Sequence, residues 1–120
     1  MAKCDEGYLC EVCGGPVEKL SDSALYLQYV IGWIDPETLH TRAECHLRCH
    51  PALAQFIDHE DFEPLSIEGD LDRRRLDKEF ATARTHLISR GFQRLRELQS
   101  ARRGIPVSEY PLPEFRPRFP

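Results

Sequence analysis

Residues 10–15 read Cys-Glu-Val-Cys-Gly-Gly, and residues 44–51 read Glu-Cys-His-Leu-Arg-Cys-His-Pro. The first stretch places two thiols two residues apart, ahead of two glycines. The second stretch groups two thiols, two imidazoles and a proline. A Cys-x2-Cys turn points both sulfur atoms to one side, as a tetrahedral zinc ion requires. The pattern therefore predicts a zinc site with Cys10 and Cys13 as two ligands and the other two in the second stretch.

The second stretch leaves its two ligands open. Cys49 belongs to either pair, with Cys45 four residues before it or with His46 three residues before it. Thiolate is the more usual structural ligand, which favours Cys45, whereas the three-residue spacing favours His46. We expect one structural zinc ion held by four of five candidates: Cys10, Cys13, Cys45, His46 and Cys49. His50 and Cys4 are lesser candidates.

Two alternatives to a zinc site are ordinary buried thiols and a redox-active pair. Free cysteine is commonly buried, but four of the five thiols fall in two clusters with ligand spacing. A redox Cys-x2-Cys would be followed by a helix, which Gly-Gly-Pro at residues 14–16 disfavours. The metal site is therefore the interpretation that the spacing favours.

Length and composition indicate one small intracellular domain. The chain has 120 residues, and no apolar run approaches the ~20 residues of a membrane span. Its first residues are acidic and lack the apolar stretch of a signal peptide. We expect a cytoplasmic protein, in which paired cysteines more often hold metal than form disulfides.

The segment between the two cysteine clusters predicts a β-hairpin. Residues 24–34 are rich in aromatic and β-branched residues and favour a strand, with a short helix as the alternative for the first half. Asp-Pro at positions 35–36 favours a turn, and residues 39–43 would return antiparallel. Trp33 is expected in the core. Pro51 is tolerated only in a first helical turn, so a helix is predicted over residues 51–58.

The second half of the chain predicts one long helix. Asp70 is a plausible N-cap for a helix from Leu71 to about Arg103, and apolar or small residues recur along it at spacings of three and four. Gly91 marks either a kink or a close approach. The resulting division is a zinc-binding domain over residues 1–65, an amphipathic helix over 66–103 and an extended Pro-rich tail over 104–120. The predicted stripe comprises Leu76, Phe80, Ala83, Leu87, Gly91, Leu95, Leu98 and Ala101.

The order of a Cys-x2-Cys-Gly knuckle, a hairpin and a second ligand pair at a helix start resembles the treble-clef class of zinc fingers. The resemblance covers residues 8–58 and implies an α+β fold for the zinc-binding half. Treble clefs include protein-interaction domains, nucleic-acid-binding modules and HNH nucleases, so the resemblance implies no single function. A nuclease would need a base on the hairpin, and only His40 is available there, without an acidic residue before it.

The charge distribution frames the functional hypotheses. Residues 1–65 carry four basic and twelve acidic side chains, whereas residues 66–120 carry twelve basic and eight acidic ones. We expect a non-enzymatic module that binds a protein partner or itself through the long helix, with no membrane and no small-molecule substrate. The alternative is nucleic-acid binding by the arginines of that helix. These are Arg84, Arg90, Arg94, Arg96, Arg102 and Arg103.

Overall fold

The structure, a computed structural model, describes residues 9–101 and 104–116. Within these ranges the chain forms four α-helices, with short 3-10 turns between them. No helix in the described ranges is long and apolar enough to cross a membrane. The helices are α1 (Ala24–Val30), α2 (Pro36–Thr41), α3 (Pro51–Ala54) and α4 (Lys78–Ser100).

The predicted α+β class with a β-hairpin is wrong. The described residues contain no β-strand, only three isolated bridges: Leu9 with Pro16, Cys10 with Glu44, and Ser23 with His46. The two segments assigned to hairpin strands form α1 and α2 instead. The knuckle and the second ligand cluster of the treble-clef resemblance are present, but the hairpin between them is not.

Helix α1 forms because a cap and burial on most sides outweigh β-propensity. The Ser23 hydroxyl accepts a hydrogen bond from the Tyr26 amide at 3.0 Å, which caps the first turn. Six of the seven helical residues are buried, so the segment has no polar face to reveal its period. Gly32 follows the helix with φ of +81°, a backbone conformation that suits glycine.

Helix α2 begins at the Asp-Pro pair that predicted a turn. The Asp35 carboxylate accepts hydrogen bonds from the amide of Thr38 at 2.8 Å and from its hydroxyl at 2.7 Å. Pro36 occupies the first helical position, where its missing N–H costs nothing. The same residues that start a turn therefore start a helix here.

Helix α4 is shorter than predicted, and the predicted stripe is buried only in the second half of the helix, at Gly91, Leu95 and Leu98. Asp77, rather than Asp70, is the N-cap, and its carboxylate accepts a hydrogen bond from the Phe80 amide at 3.0 Å. Of the predicted stripe, Phe80 and Ala83 are exposed. The buried face comprises Ile88, Gly91, Phe92, Leu95 and Leu98.

The core lies where α1 crosses α4. A Cβ atom added at Gly91 would lie 2.5 Å from Ile31 Cγ2 and 2.8 Å from Leu27 Cδ1. Glycine therefore lets the two helices approach closely, which is one of the two roles expected for it. The division of the chain at residue 65 stays a prediction, although side chains from both sides of that point share one apolar core.

The tail residues 104–116 lie against α1 and α4. The Leu112 amide donates to the Val30 carbonyl at 2.9 Å, and the Leu112 side chain is buried in the core. The Tyr29 hydroxyl donates to the Val107 carbonyl at 2.8 Å. The tail expected to be merely extended therefore completes the C-terminal end of α1, where helix carbonyls otherwise lack partners.

Candidate metal centre

The first arm of the site is a tight turn that directs two sulfur atoms to one side. The Cys10 amide donates to the Gly15 carbonyl at 2.8 Å, and the Gly14 amide donates to the Cys10 carbonyl at 2.8 Å. Gly14 has φ of +79°, so the turn uses the conformational freedom of glycine. The Val12 amide points at Cys10 Sγ at 3.4 Å, and the Gly15 amide points at Cys13 Sγ at 3.4 Å.

The second arm is held beside the first by backbone contacts. The Glu11 amide donates to the Glu44 carbonyl at 3.0 Å, and the His46 amide points at Cys10 Sγ at 3.4 Å. A 3-10 turn over Leu47–Cys49 follows, closed by the Cys49 amide on the His46 carbonyl at 2.9 Å. This turn puts the side chains of His46 and Cys49 on the same side of the chain.

Four ligand atoms meet at this junction, one each from Cys10, Cys13, His46 and Cys49, all within 4.8 Å of one another. His46 Nδ1 lies 3.3 Å from Cys13 Sγ and 4.0 Å from Cys49 Sγ. A tetrahedral zinc ion with these donors would separate them by about 3.6 to 3.8 Å, given metal–sulfur bonds near ~2.3 Å. The cluster could therefore hold one metal ion with small adjustments. It is the only group of this kind among the described residues.

The orientation of His46 suits a ligand. Its Nε2 atom lies 2.9 Å from the Pro16 carbonyl oxygen, a contact that requires a proton on Nε2. In the neutral ring, Nδ1 is then unprotonated and faces the sulfur atoms, as in metal sites where the second imidazole nitrogen donates to an outer partner. Pro16 was not anticipated in this role, since a backbone carbonyl leaves no signal in the sequence.

Cys45, the competing candidate, lies outside the group of four. Its side chain is buried, and its thiol donates to the His46 carbonyl at 3.4 Å. Burial, followed by the neighbouring Cys10 sulfur, raises the pKa of the Cys45 thiol to about 12. These contacts fit a structural thiol that stays protonated beside the site.

The environment of Cys10 favours thiolate. Burial alone would raise the pKa of this thiol, but the backbone amides of Cys13, His46 and Val12 outweigh it and lower the pKa to about 5. Amide donors stabilise the charged sulfur because they point their positive ends at it. Cys10 therefore favours the thiolate, which is the form in which cysteine ligates metal.

Cys49 and His46 hold protons that a metal ion would displace. Burial and the sulfurs of Cys10 and Cys13 raise the pKa of Cys49 to about 11. Burial lowers the pKa of His46, but the Pro16 carbonyl and the two knuckle sulfurs outweigh it and raise that pKa to about 9.

The remaining candidates lie elsewhere or outside the described residues. His50 is not in the group of four and precedes α3 as its N-cap residue. Cys4 lies outside the described ranges. His40, the one base available to a nuclease, is exposed in the last turn of α2 and not on a hairpin.

Three of the four predicted nucleic-acid-binding arginines that the structure describes form hydrogen bonds within the chain. Arg90 forms a bidentate ion pair with Glu114 at 2.7 and 3.0 Å, and Arg96 donates to the Asp61 carboxylate at 2.9 Å. Arg94 donates to the backbone carbonyls of residues 109 and 110 at 2.8 and 3.0 Å. Arg102 and Arg103 lie outside the described residues. Nucleic-acid binding stays a prediction.

Arg84 behaves differently, and the structure reveals a feature that the sequence did not. Its guanidinium lies 4.6 Å from the centroid of the Trp33 ring and 4.5 Å from that of Phe80. Trp33, expected in the core, is 39% exposed. Phe80 and Arg84 lie one helical turn apart on α4, but Trp33 comes from a distant part of the chain, so no local pattern could have grouped all three.

Comparison with protein-family models, with curated proteins and with solved structures finds no match to this chain. The cluster of three thiols and one imidazole is consistent with a zinc-finger-like site, and no family or fold assignment accompanies it.

Proposed function

We propose that the protein holds one structural zinc ion through Cys10, Cys13, His46 and Cys49 and acts as a non-enzymatic module that binds a protein partner. The observation that carries the proposal is the convergence of four ligand atoms within 4.8 Å. Three sulfurs and one nitrogen form a donor set that binds zinc in preference to calcium or magnesium. Four protein ligands also leave no coordination position for a substrate, which favours a structural over a catalytic ion.

The ion would join two arms that are far apart in sequence. Cys13 and His46 are 33 residues apart, and α1 and α2 lie between them. The backbone contacts between the arms are few, so the bound ion would supply much of their attachment. Binding free energy at such a site contributes to folding, so chelation should loosen the N-terminal half.

The binding role rests on where apolar side chains remain exposed. The buried face of α4 in its second half packs against α1 within the same chain, which leaves little of the predicted stripe for helix pairing. Exposed apolar side chains instead collect beside its first half, with Phe80 at 45% exposure. Sedimentation velocity would distinguish a second copy of this chain from a different protein as the partner.

The ligand set is testable by native mass spectrometry of matched variants. Wild-type protein should carry one zinc ion per chain. His46→Ala should lose it, whereas Cys45→Ala, which removes a neighbouring buried thiol, should retain it. His46→Cys should also retain the ion, because it keeps four ligands at the same positions. That variant guards against a loss of metal caused only by misfolding of His46→Ala.

Cobalt substitution provides a second readout. Cobalt(II) in a tetrahedral site absorbs in the visible range, and the band position depends on the number of thiolate ligands. His46→Cys should shift that band, and Cys45→Ala should leave it in place. Wild-type protein without metal, or zinc lost from Cys45→Ala and kept in His46→Ala, would contradict the proposed site.

A further inference from the structure

An apolar cleft of about 350 Å³ lies beside the first half of α4. Its floor includes three buried side chains: Leu53, Phe56 and Ile88. Three of the seven large apolar side chains exposed in the described residues line it as well: Trp33, Leu71 and Phe80. Single exposed apolar residues are ordinary, but three around one cleft indicate a contact surface.

Arg84 lies at this cleft with its guanidinium close to two aromatic rings, 4.6 Å from the Trp33 centroid and 4.5 Å from the Phe80 centroid. A guanidinium near aromatic ring faces is attracted to them as a cation and keeps N–H donors for hydrogen bonds. Within the described part of the chain no carboxylate pairs with Arg84, whereas Arg90 and Arg96 on the same helix each have one. A planar donor held in this way suits a carboxylate.

The charge of the lining points to the same ligand chemistry. Only two ionisable residues line the cleft, Arg84 and His50, and neither can carry negative charge. No Asp or Glu is among the lining residues. An occupant with large apolar side chains and a carboxylate would match both the apolar lining and the positive charge of Arg84. A basic segment would instead face the like charge of Arg84.

The tail of this chain shows the same type of contact on the neighbouring surface. Glu114 pairs with Arg90 through both carboxylate oxygens, at 2.7 and 3.0 Å. The adjacent Phe115 packs directly over Gly32 and lines a small pocket with Trp33. Arg90, six residues after Arg84 on α4, and the end of α1 therefore already hold an acidic residue that is next to an aromatic one.

We propose that the cleft binds a peptide segment of a partner protein in which an Asp or Glu lies next to a large apolar side chain. The carboxylate pairs with the N–H edge of Arg84, and the apolar side chain enters between Trp33 and Leu71. The inference rests on the proposed function only in taking a protein as the partner. Trp and Arg are among the residues that most often carry binding energy at such surfaces.

Selection from a displayed library of random heptapeptides tests the chemistry directly. The zinc-loaded full chain is the target, with Arg84→Gln as the test variant and Arg96→Gln as the control. Arg96 is a matched control because it lies on the same helix, pairs with the exposed Asp61 and does not line the cleft. Wild type and Arg96→Gln should enrich peptides with an acidic residue beside Leu or Phe, and Arg84→Gln should not.

The affinity of an enriched peptide can be followed by intrinsic fluorescence. Trp33 is the single tryptophan of the chain and lies in the cleft wall, so a peptide without tryptophan should change its emission in a saturable manner. We expect at least tenfold weaker binding to Arg84→Gln, an unchanged affinity for Arg96→Gln, and a similar loss when the peptide carboxylate is replaced by the amide.

Several results would overturn the inference. Enrichment of basic peptides, enrichment that Arg84→Gln leaves intact, or no enrichment would each do so. A concentration-dependent dimer abolished by Arg84→Gln would assign the cleft to a second copy instead. Zinc content measured on the same samples separates the two proposals. One zinc per chain with no Arg84-dependent binding refutes the cleft alone, and Arg84-dependent peptide binding by wild-type protein that takes up no zinc refutes the zinc site alone.

Discussion

Replacing Gly91 by alanine should destabilise the protein, although the same change in an exposed helix would stabilise it. Alanine is favoured over glycine in a helix interior by about 1 kcal/mol. The new Cβ, however, would lie 2.5 Å from Ile31 Cγ2 and 2.8 Å from Leu27 Cδ1. Both neighbours are almost fully buried. Overpacking of this kind costs about 1 to 3 kcal/mol.

The net effect expected for Gly91→Ala is a loss of about 1 kcal/mol of unfolding free energy, the middle of the overpacking range less the propensity gain. Gly91→Val adds two more methyl groups at the same place and should cost about 3 kcal/mol. Urea unfolding followed by circular dichroism, with zinc in excess, measures both. A shift of the midpoint at constant slope would show that the variants change stability and not compactness.

Thr82→Ala is the matched control for helix propensity. Thr82 is exposed on the same helix, so alanine there should stabilise the protein by about 0.5 kcal/mol. A rise in the urea midpoint for Gly91→Ala, parallel to that of the control, would refute the close approach of α1 to α4.

Three further predictions concern the cap, the tail and the response to acid. Ser23→Ala removes the α1 cap and should lower the free energy of unfolding by about 1 to 2 kcal/mol, measured by the same urea assay. Leu112→Ala should cost about 2 to 3 kcal/mol and leave zinc content unchanged, since the side chain is buried far along the chain from the ligands. The side-chain hydrogen bonds from Arg90 lower the pKa of Glu114 from 4.5 to about 2. The native state thus binds this proton less readily than the unfolded state, so the ion pair stabilises fully above pH 4.5 and its contribution is lost as the pH falls towards 2. The stability difference between wild type and Glu114→Gln should therefore shrink over that window in pH-dependent urea unfolding, and a constant difference would exclude the pair as its cause.

The sequence was informative where chemistry fixes geometry. The spacing of Cys10 and Cys13 predicted two of the four converging side chains, and Pro51 predicted the start of α3 correctly. The sequence did not decide between Cys45 and His46 as the fourth ligand, because the contact that orients His46 comes from the backbone carbonyl of Pro16. Such a partner is set by tertiary structure and has no local signature.

The fold class failed for a physical reason that can be located at two residues. Aromatic and β-branched side chains in residues 24–34 fit a buried strand and a buried helix equally, because neither has a polar face to fix the period. The capping hydroxyl of Ser23 and the capping carboxylate of Asp35 favour helices, and each lies at a position where a turn residue is equally expected. Cap residues beside a mostly apolar segment therefore carried more information than β-propensity.

The order in which the two halves of the fold leave the ribosome follows from where their parts lie in the sequence. All four candidate ligands have been synthesised by residue 49, whereas the α4 residues that cover α1 extend to Leu98. At ~5 to 20 residues per second, translation of the intervening chain takes about 2 to 10 s. During that interval a nascent chain could already capture its metal while Leu27 and Ile31 still lack their cover. The ion would then join the two ligand-bearing arms before α4 has been synthesised to cover α1.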